Sequence, residues 1–86
     1  MVRKSEFPET SAATKIVAET VAGEMMRRGM SQNRLAKIIG KSQSYVSTRT
    51  RGEQSWTIDD LDAIAKALGL PNGFAILDRA RGLSSR

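Results

Sequence analysis

The side chains with the greatest chemical capacity in this chain lie between Gln32 and Gly52, and what they offer is hydrogen bonding to a polyanion. At about 100° per residue, Gln43, Ser44, Ser47, Thr48 and Arg51 gather on one face of a helix that starts after Ser42. Tyr45, Val46, Arg49 and Thr50 fall on the other face. The first face is short, polar and uncrowded. Such a face can enter a major groove, where glutamine bonds adenine bidentately and serine or threonine reaches several base edges or a thymine methyl. Charge is segregated around it. Between Met25 and Gly52 stand Arg27, Arg28, Arg34, Lys37, Lys41, Arg49 and Arg51 with no acidic residue, whereas Glu53, Asp59, Asp60 and Asp62 follow directly. On this charge argument Asn33, Lys41 and Arg51 are expected to meet phosphates.

Other chemistries are poorly provided for. The chain has no cysteine and no histidine, which removes disulfides, thiol nucleophiles, imidazole bases and nearly every structural zinc site. Asp59, Asp60 and Asp62 sit where helix capping and the helix dipole explain them better than a metal or an acid–base pair does. With no nucleophile–base pair and no phosphate loop, no catalytic residue, metal, cofactor or small-molecule ligand is expected, and the chain is not read as an enzyme. A net charge of +5 suits an anionic partner without saying whether it is DNA, RNA or a lipid surface. No apolar run is long enough for a membrane span, and the start at Met1 lacks a signal segment. The expected location is therefore the cytoplasm, on the nucleoid when DNA is bound.

Eighty-six residues leave room for one modest core, and the periodicity predicts an all-α domain of five helices. Residues 1–9 read as a flexible arm containing Arg3 and Lys4, residues 10–82 as the folded domain with its motif at 31–52, and residues 83–86 as a tail. Helix one is expected from Ser11 to Arg28, with Ala13, Ile16, Val17, Val21 and Met25 on its buried stripe. Ser31 caps helix two, whose apolar face is Leu35, Ala36, Ile38 and Ile39, and Gly40 ends it. Helix three runs from the Ser42 cap to Arg51. Two helices meeting at a steep angle need a small residue at the crossing and a glycine at the reversal, for which Ala36 and Gly40 are placed. Leu35, Ile39 and Val46 are expected to plug the crossing. Thr57 opens helix four with a capping box to Asp60, and Trp56 and Leu61 occupy staple positions. The stripe of helix four is Ile58, Leu61, Ile64, Ala65 and Leu68. Helix five is expected over residues 72–81, stopping at Gly82.

The segment from Gly29 to Leu70 resembles the lambda-repressor and Cro-like, or xenobiotic-response-element type, helix-turn-helix family. The likeness rests on Met30-Ser-Gln-Asn-Arg-Leu-Ala, Ile39-Gly, Ser42-Gln-Ser-Tyr-Val-Ser, Arg51-Gly, and Thr57-Ile-Asp-Asp-Leu with Ile64-Ala-Lys-Ala-Leu-Gly-Leu. It implies a lambda-repressor-like domain whose third helix reads bases through Gln43, Ser44, Ser47 and Thr48. It further implies that Gln32 touches phosphates while supporting Gln43, and that Gln54 and Ser55 hold phosphates from the loop after helix three. Three residues depart from the family pattern. Arg49 stands where Ile or Leu is usually buried, so it either snorkels out or pairs with a carboxylate or an aromatic ring. Trp56 replaces a common proline, and Glu53 stands where a basic residue is frequent.

The resulting expectation is a double-stranded DNA-binding transcriptional regulator, a prokaryotic or phage repressor on a near-palindromic operator. One short helix reads few base pairs, so a homodimer is expected, with Phe74, Ile76, Leu77 and Leu83 at its interface. Two rivals share the fold: a protein-interaction module of antitoxin or anti-repressor type, and a nucleic-acid-coating protein without sequence preference. The first predicts weak DNA binding, the second salt-sensitive binding to any sequence.

Overall fold

Each helix begins where a short polar side chain accepts one of the free backbone N–H groups of the first turn. In the computed structural model, which describes residues 9–85, the helices are α1 (Ala12–Arg27), α2 (Gln32–Ile39), α3 (Gln43–Thr50), α4 (Ile58–Ala67) and α5 (Gly73–Ser84). Residues 1–8 of the expected arm, with Arg3 and Lys4, lie outside the described residues. Ser11, Ser31 and Ser42 accept from the amides of Thr14, Arg34 and Tyr45 at 3.1, 3.1 and 3.0 Å. Thr57 and Asp60 close the capping box, each side chain bonded to the other's amide. Asn72 accepts from Phe74 N to start α5.

The core is one cluster. It contains Val21 and Met25 from α1, Leu35 and Ala36 from α2, Val46 from α3, Trp56 from the following loop, Leu61, Ile64 and Ala65 from α4, Leu68 and Leu70 beyond it, and Ile76 from α5. Ala36 is almost fully buried, and Gly40 adopts φ 72°, which lets the Lys41 amide reach back to the Ala36 carbonyl at 2.9 Å. The α2–α3 reversal thus takes the form expected from the small residues, with Leu35 and Val46 buried and Ile39 half-buried against them.

Several expectations of burial are corrected. Ala13, Ile38 and Ile58 lie on the solvent side of their helices, Ile58 with 66% of its surface exposed. A stripe at three- and four-residue spacing is wider than the strip a neighbouring helix covers, and these three fall at its edges. Ile76 is fully buried, so it closes the protomer core and has no surface to give to a dimer interface. Helix α5 does not stop at Gly82 but runs to Ser84, so Leu83 belongs to the helix and not to a tail. A glycine ends a helix by turning left-handed, and Gly82 keeps a negative φ.

The approach of α5 to α4 depends on Gly73. A Cβ there would lie 3.0 Å from the Asp62 amide nitrogen and 3.2 Å from the Leu61 carbonyl carbon. Asp62 in turn accepts the Gly73 amide at 3.1 Å, so one carboxylate on α4 caps the next helix. This bond and the ammonium of Lys66 hold its carboxyl below the usual range.

Candidate nucleic-acid interface

Helix α3 is anchored on one side and open on the other. Val46 is fully buried between α2 and the core, while Gln43 and Ser44 at the amino end are exposed and their side chains make no hydrogen bond to any described residue. Ser47 and Thr48 are half-buried, and both hydroxyls are already engaged. Ser47 Oγ accepts from the Arg51 guanidinium, and Thr48 Oγ1 donates to the carbonyls of Ser44 and Tyr45, each at 3.1 Å.

The far side of α3 is held by Tyr45. Its hydroxyl donates to Asp60 Oδ2 at 2.6 Å, the same oxygen that accepts the Thr57 amide in the α4 capping box. Its ring meets Trp56 edge-on at 6.3 Å between centroids. Arg49 lies over that ring, with Cζ 3.4 Å from the centroid, and donates to the Tyr45 carbonyl at 3.2 Å. The alternatives for Arg49 are thereby decided: it pairs with an aromatic ring, and its Nε is left buried without an acceptor. Burial pushes the Asp60 carboxyl up, but the Tyr45 hydroxyl and the Thr57 bonds outweigh it and hold the group below the ordinary range. Reciprocally, the bond to Asp60 and then burial raise the Tyr45 phenol above its usual value. No feature of the sequence signals the Tyr45–Asp60 contact, since fifteen positions separate two residues with separate local explanations.

The expected phosphate-binding residues are distributed unevenly. Asn33, Lys41 and Gln54 are exposed, with Lys41 Nζ 5.0 Å from the centre of the Tyr45 ring. Ser55 is exposed but shares a hydrogen bond with Thr14 at 3.1 Å, and Gly52 accepts from Thr10 at 2.7 Å, so the loop after α3 is tied to the start of α1. The Gln32 amide donates to Thr50 at the other end of α3, at 3.1 Å, and makes no hydrogen bond to Gln43. Arg51 is exposed and bonded twice to Glu53 at 3.1 Å, so part of its charge is answered before any phosphate arrives.

The basic segment is also trimmed at its start. Glu24, almost fully buried on α1, is hydrogen-bonded by Arg27 and Arg28 and lies 3.6 Å from Arg79 of α5. Burial would push its carboxyl up, yet the two arginine bonds prevail and keep it below the ordinary value. Arg28 further donates to the Leu68 carbonyl at 2.8 Å. Arg27 and Arg28 are therefore structural. The signal was present in the spacing, since a glutamate three and four residues before arginines pairs with them along one helix face. Among the described residues, no carboxylate group is arranged to hold a metal ion, and no helix is long and apolar enough to cross a membrane.

Of the residues expected at a dimer interface, Phe74 is 71% exposed, Leu77 and Leu83 are half-buried, and Ile76 is inside the core. Leu83 lies with Thr20 and Gly23 along a groove between α1 and α5.

Comparison with known proteins follows the same outline. The family model HTH_3, helix-turn-helix, matches residues 24–71. The clp gene regulator ClgR of Corynebacterium glutamicum is 22% identical, with a TM-score of 0.79 over 91% of this chain and 81% of that one. The wild-type restriction-modification controller protein C.Esp1396I is 22% identical, with a TM-score of 0.74 over 84% and 92%. An HTH_3 family transcriptional regulator from Vibrio cholerae is 29% identical, with a TM-score of 0.68 over 84% of this chain and 40% of that one. No curated protein matches the chain.

Proposed function

The chain belongs to the HTH_3 helix-turn-helix family, and on that premise we propose that it is a transcriptional regulator that binds double-stranded DNA through α3 in the major groove. The observation that carries this reading is the state of the α3 amino end: the side chains of Gln43 and Ser44 stand exposed and without hydrogen bonds on a helix whose opposite side is locked by Val46 and Tyr45. A helix held firmly from behind that presents unused donors and acceptors suits base readout, because only those side chains, and not the backbone that carries them, are ordered on binding. Ser47 and Thr48 complete the reading face. Asn33, Lys41 and Gln54 supply the phosphate grip that sets register, with Gln32, Arg51 and Ser55 beside them in positions already constrained by protein bonds.

The regulator acts as a homodimer on a near-palindromic operator and represses by occupying it. Exposed Phe74 and half-buried Leu77 and Leu83 on α5 form the contact surface with the second copy. A gene regulator, a controller protein and a transcriptional regulator among the proteins of similar fold support a regulatory role.

The test is selection from a randomised duplex library at two salt concentrations. Enrichment of a short two-fold-symmetric site that survives the higher salt is the expected outcome. Binding without enrichment that disappears in salt would place the protein among nucleic-acid coaters, because phosphate contacts alone are strongly salt-dependent. Absence of binding at both salts would favour a protein-interaction module.

A further inference from the structure

Arg49 is an expensive choice for its position. Its Nε is buried with no acceptor, and a residue of similar bulk without polar atoms would avoid that cost. Local rules are broken in this way most often where function demands it. The side chain is nevertheless held firmly: Cζ sits 3.4 Å from the Tyr45 ring centre, and Nη1 donates to the Tyr45 carbonyl at 3.2 Å and, in a longer contact of 3.4 Å, to Thr48 Oγ1. The ring itself is fixed by the 2.6 Å bond to Asp60 and by Trp56. A continuous path of contacts therefore runs from the start of α4, through Tyr45 and Arg49, to Thr48.

A threonine hydroxyl has one proton and two lone pairs. The proton of Thr48 is shared between the Ser44 and Tyr45 carbonyls, and one lone pair faces Arg49. What remains for a base is one acceptor site and the methyl group. We propose that Arg49 is a positioning residue: by occupying one lone pair of Thr48 Oγ1, whose proton the helix carbonyls already hold, it leaves Thr48 to read DNA through its methyl group. This rests on the DNA-binding reading above and names the specificity of that site. The base favoured at the Thr48 position is thymine, for its methyl; guanine, whose major-groove edge offers only acceptors, is disfavoured.

The experiment compares the full chain with its Thr48→Val, Thr48→Ala, Arg49→Leu and Arg49→Met variants by selection from the randomised duplex library, with thermal unfolding of each. Thr48→Val keeps the shape and the methyl, so its preference at the affected position stays within about twofold of wild type, whereas Thr48→Ala loses about fivefold or more there. Arg49→Leu remains folded, with a midpoint no lower than wild type. It frees that lone pair while the Ser44 and Tyr45 carbonyls keep the proton, so adenine and cytosine, whose exocyclic amino groups can donate, gain at that position alone. Arg49→Met carries the same comparison should the leucine variant fail to fold. An Arg49 variant with an unchanged base profile would show the arginine to be only a packing element and overturn the proposal. So would Thr48→Val losing the preference as Thr48→Ala does, or an Arg49 variant that flattens every position equally. A wild-type chain that enriches no site overturns this proposal together with the DNA-binding reading, whereas an enriched wild-type site with unchanged variants overturns the positioning claim alone.

Discussion

Replacing Tyr45 by phenylalanine removes one hydroxyl and leaves the ring in place, which isolates the bond that ties α3 to α4. That bond is short, at 2.6 Å, and its acceptor is the nearly buried, ionised Asp60. Hydrogen bonds to charged groups contribute about 1.5–3 kcal/mol. The lower part of that range applies, because Tyr45 is half-buried and Asp60 keeps its bonds to Thr57 when the hydroxyl is gone. Tyr45→Phe is therefore expected to cost about 1.5–2 kcal/mol at pH 7, lowering Tm by about 6–16 °C for a domain of this size. Urea and thermal unfolding followed by circular dichroism measure it. A double-mutant cycle with Asp60→Asn should return a coupling of about 1 kcal/mol or more. The chain has a single tyrosine, so its ultraviolet titration reports this one phenol. The raised Tyr45 value means that its contribution is complete below about pH 10 and is lost as pH rises through the folded value. The lowered Asp60 value means that its contribution is complete above about pH 4 and is lost as pH falls through the folded value. In Asp60→Asn the tyrosine should titrate closer to its ordinary value. A cost below about 0.5 kcal/mol for Tyr45→Phe, or an unchanged tyrosine titration in Asp60→Asn, would refute the claim that this bond ties α3 to α4.

Two glycines of α5 should respond to alanine with opposite signs: Gly82→Ala stabilises by about 0.5 kcal/mol, since nothing lies within 4 Å of the added methyl, while Gly73→Ala costs about 1–3 kcal/mol because backbone atoms of α4 block it. Urea midpoints read by the fluorescence of Trp56, the single tryptophan, would settle the pair, and a shared sign would contradict the packing described. Glu24→Gln should destabilise by about 2 kcal/mol, less than for a fully enclosed pair because its arginines keep solvent contact. As its folded value is lowered, wild-type stability attributable to Glu24 should be intact above about pH 5 and decline as pH falls through that value, a slope that Glu24→Gln flattens. On DNA, Gln43→Ala should relax discrimination at one operator position at a cost of about 1–3 kcal/mol, whereas Lys41→Ala should weaken all sequences alike and reduce the salt slope by about 1. Equal effects of both variants on specific and random duplexes would count against the proposed docking.

What the sequence determined by itself is the set of features decided within a few residues of chain. Ser11, Ser31, Ser42, Thr57 and Asn72 each cap a helix because a short polar side chain reaches an amide two or three positions on, and no tertiary contact is needed. Gly40 turns left-handed and Ala36 permits a close crossing for the same local reasons, so the α2–α3 motif and the polar face of α3 could be read directly. Tertiary structure decided everything that depends on distant partners. Arg49 had several ways to resolve its charge until the fold placed the Tyr45 ring beneath it, and Tyr45 is fixed only because the start of α4 arrives beside it. Gln32 was expected beside Gln43, and it is the packing of α2 on α3 that brings its amide to Thr50. Ile76 and Phe74 are both apolar residues of α5, and only the packing of that helix through Gly73 sends one into the core and leaves the other in water. Periodicity records which residues share a face; how much of that face is covered depends on the neighbouring helices, whose positions are set by long-range packing.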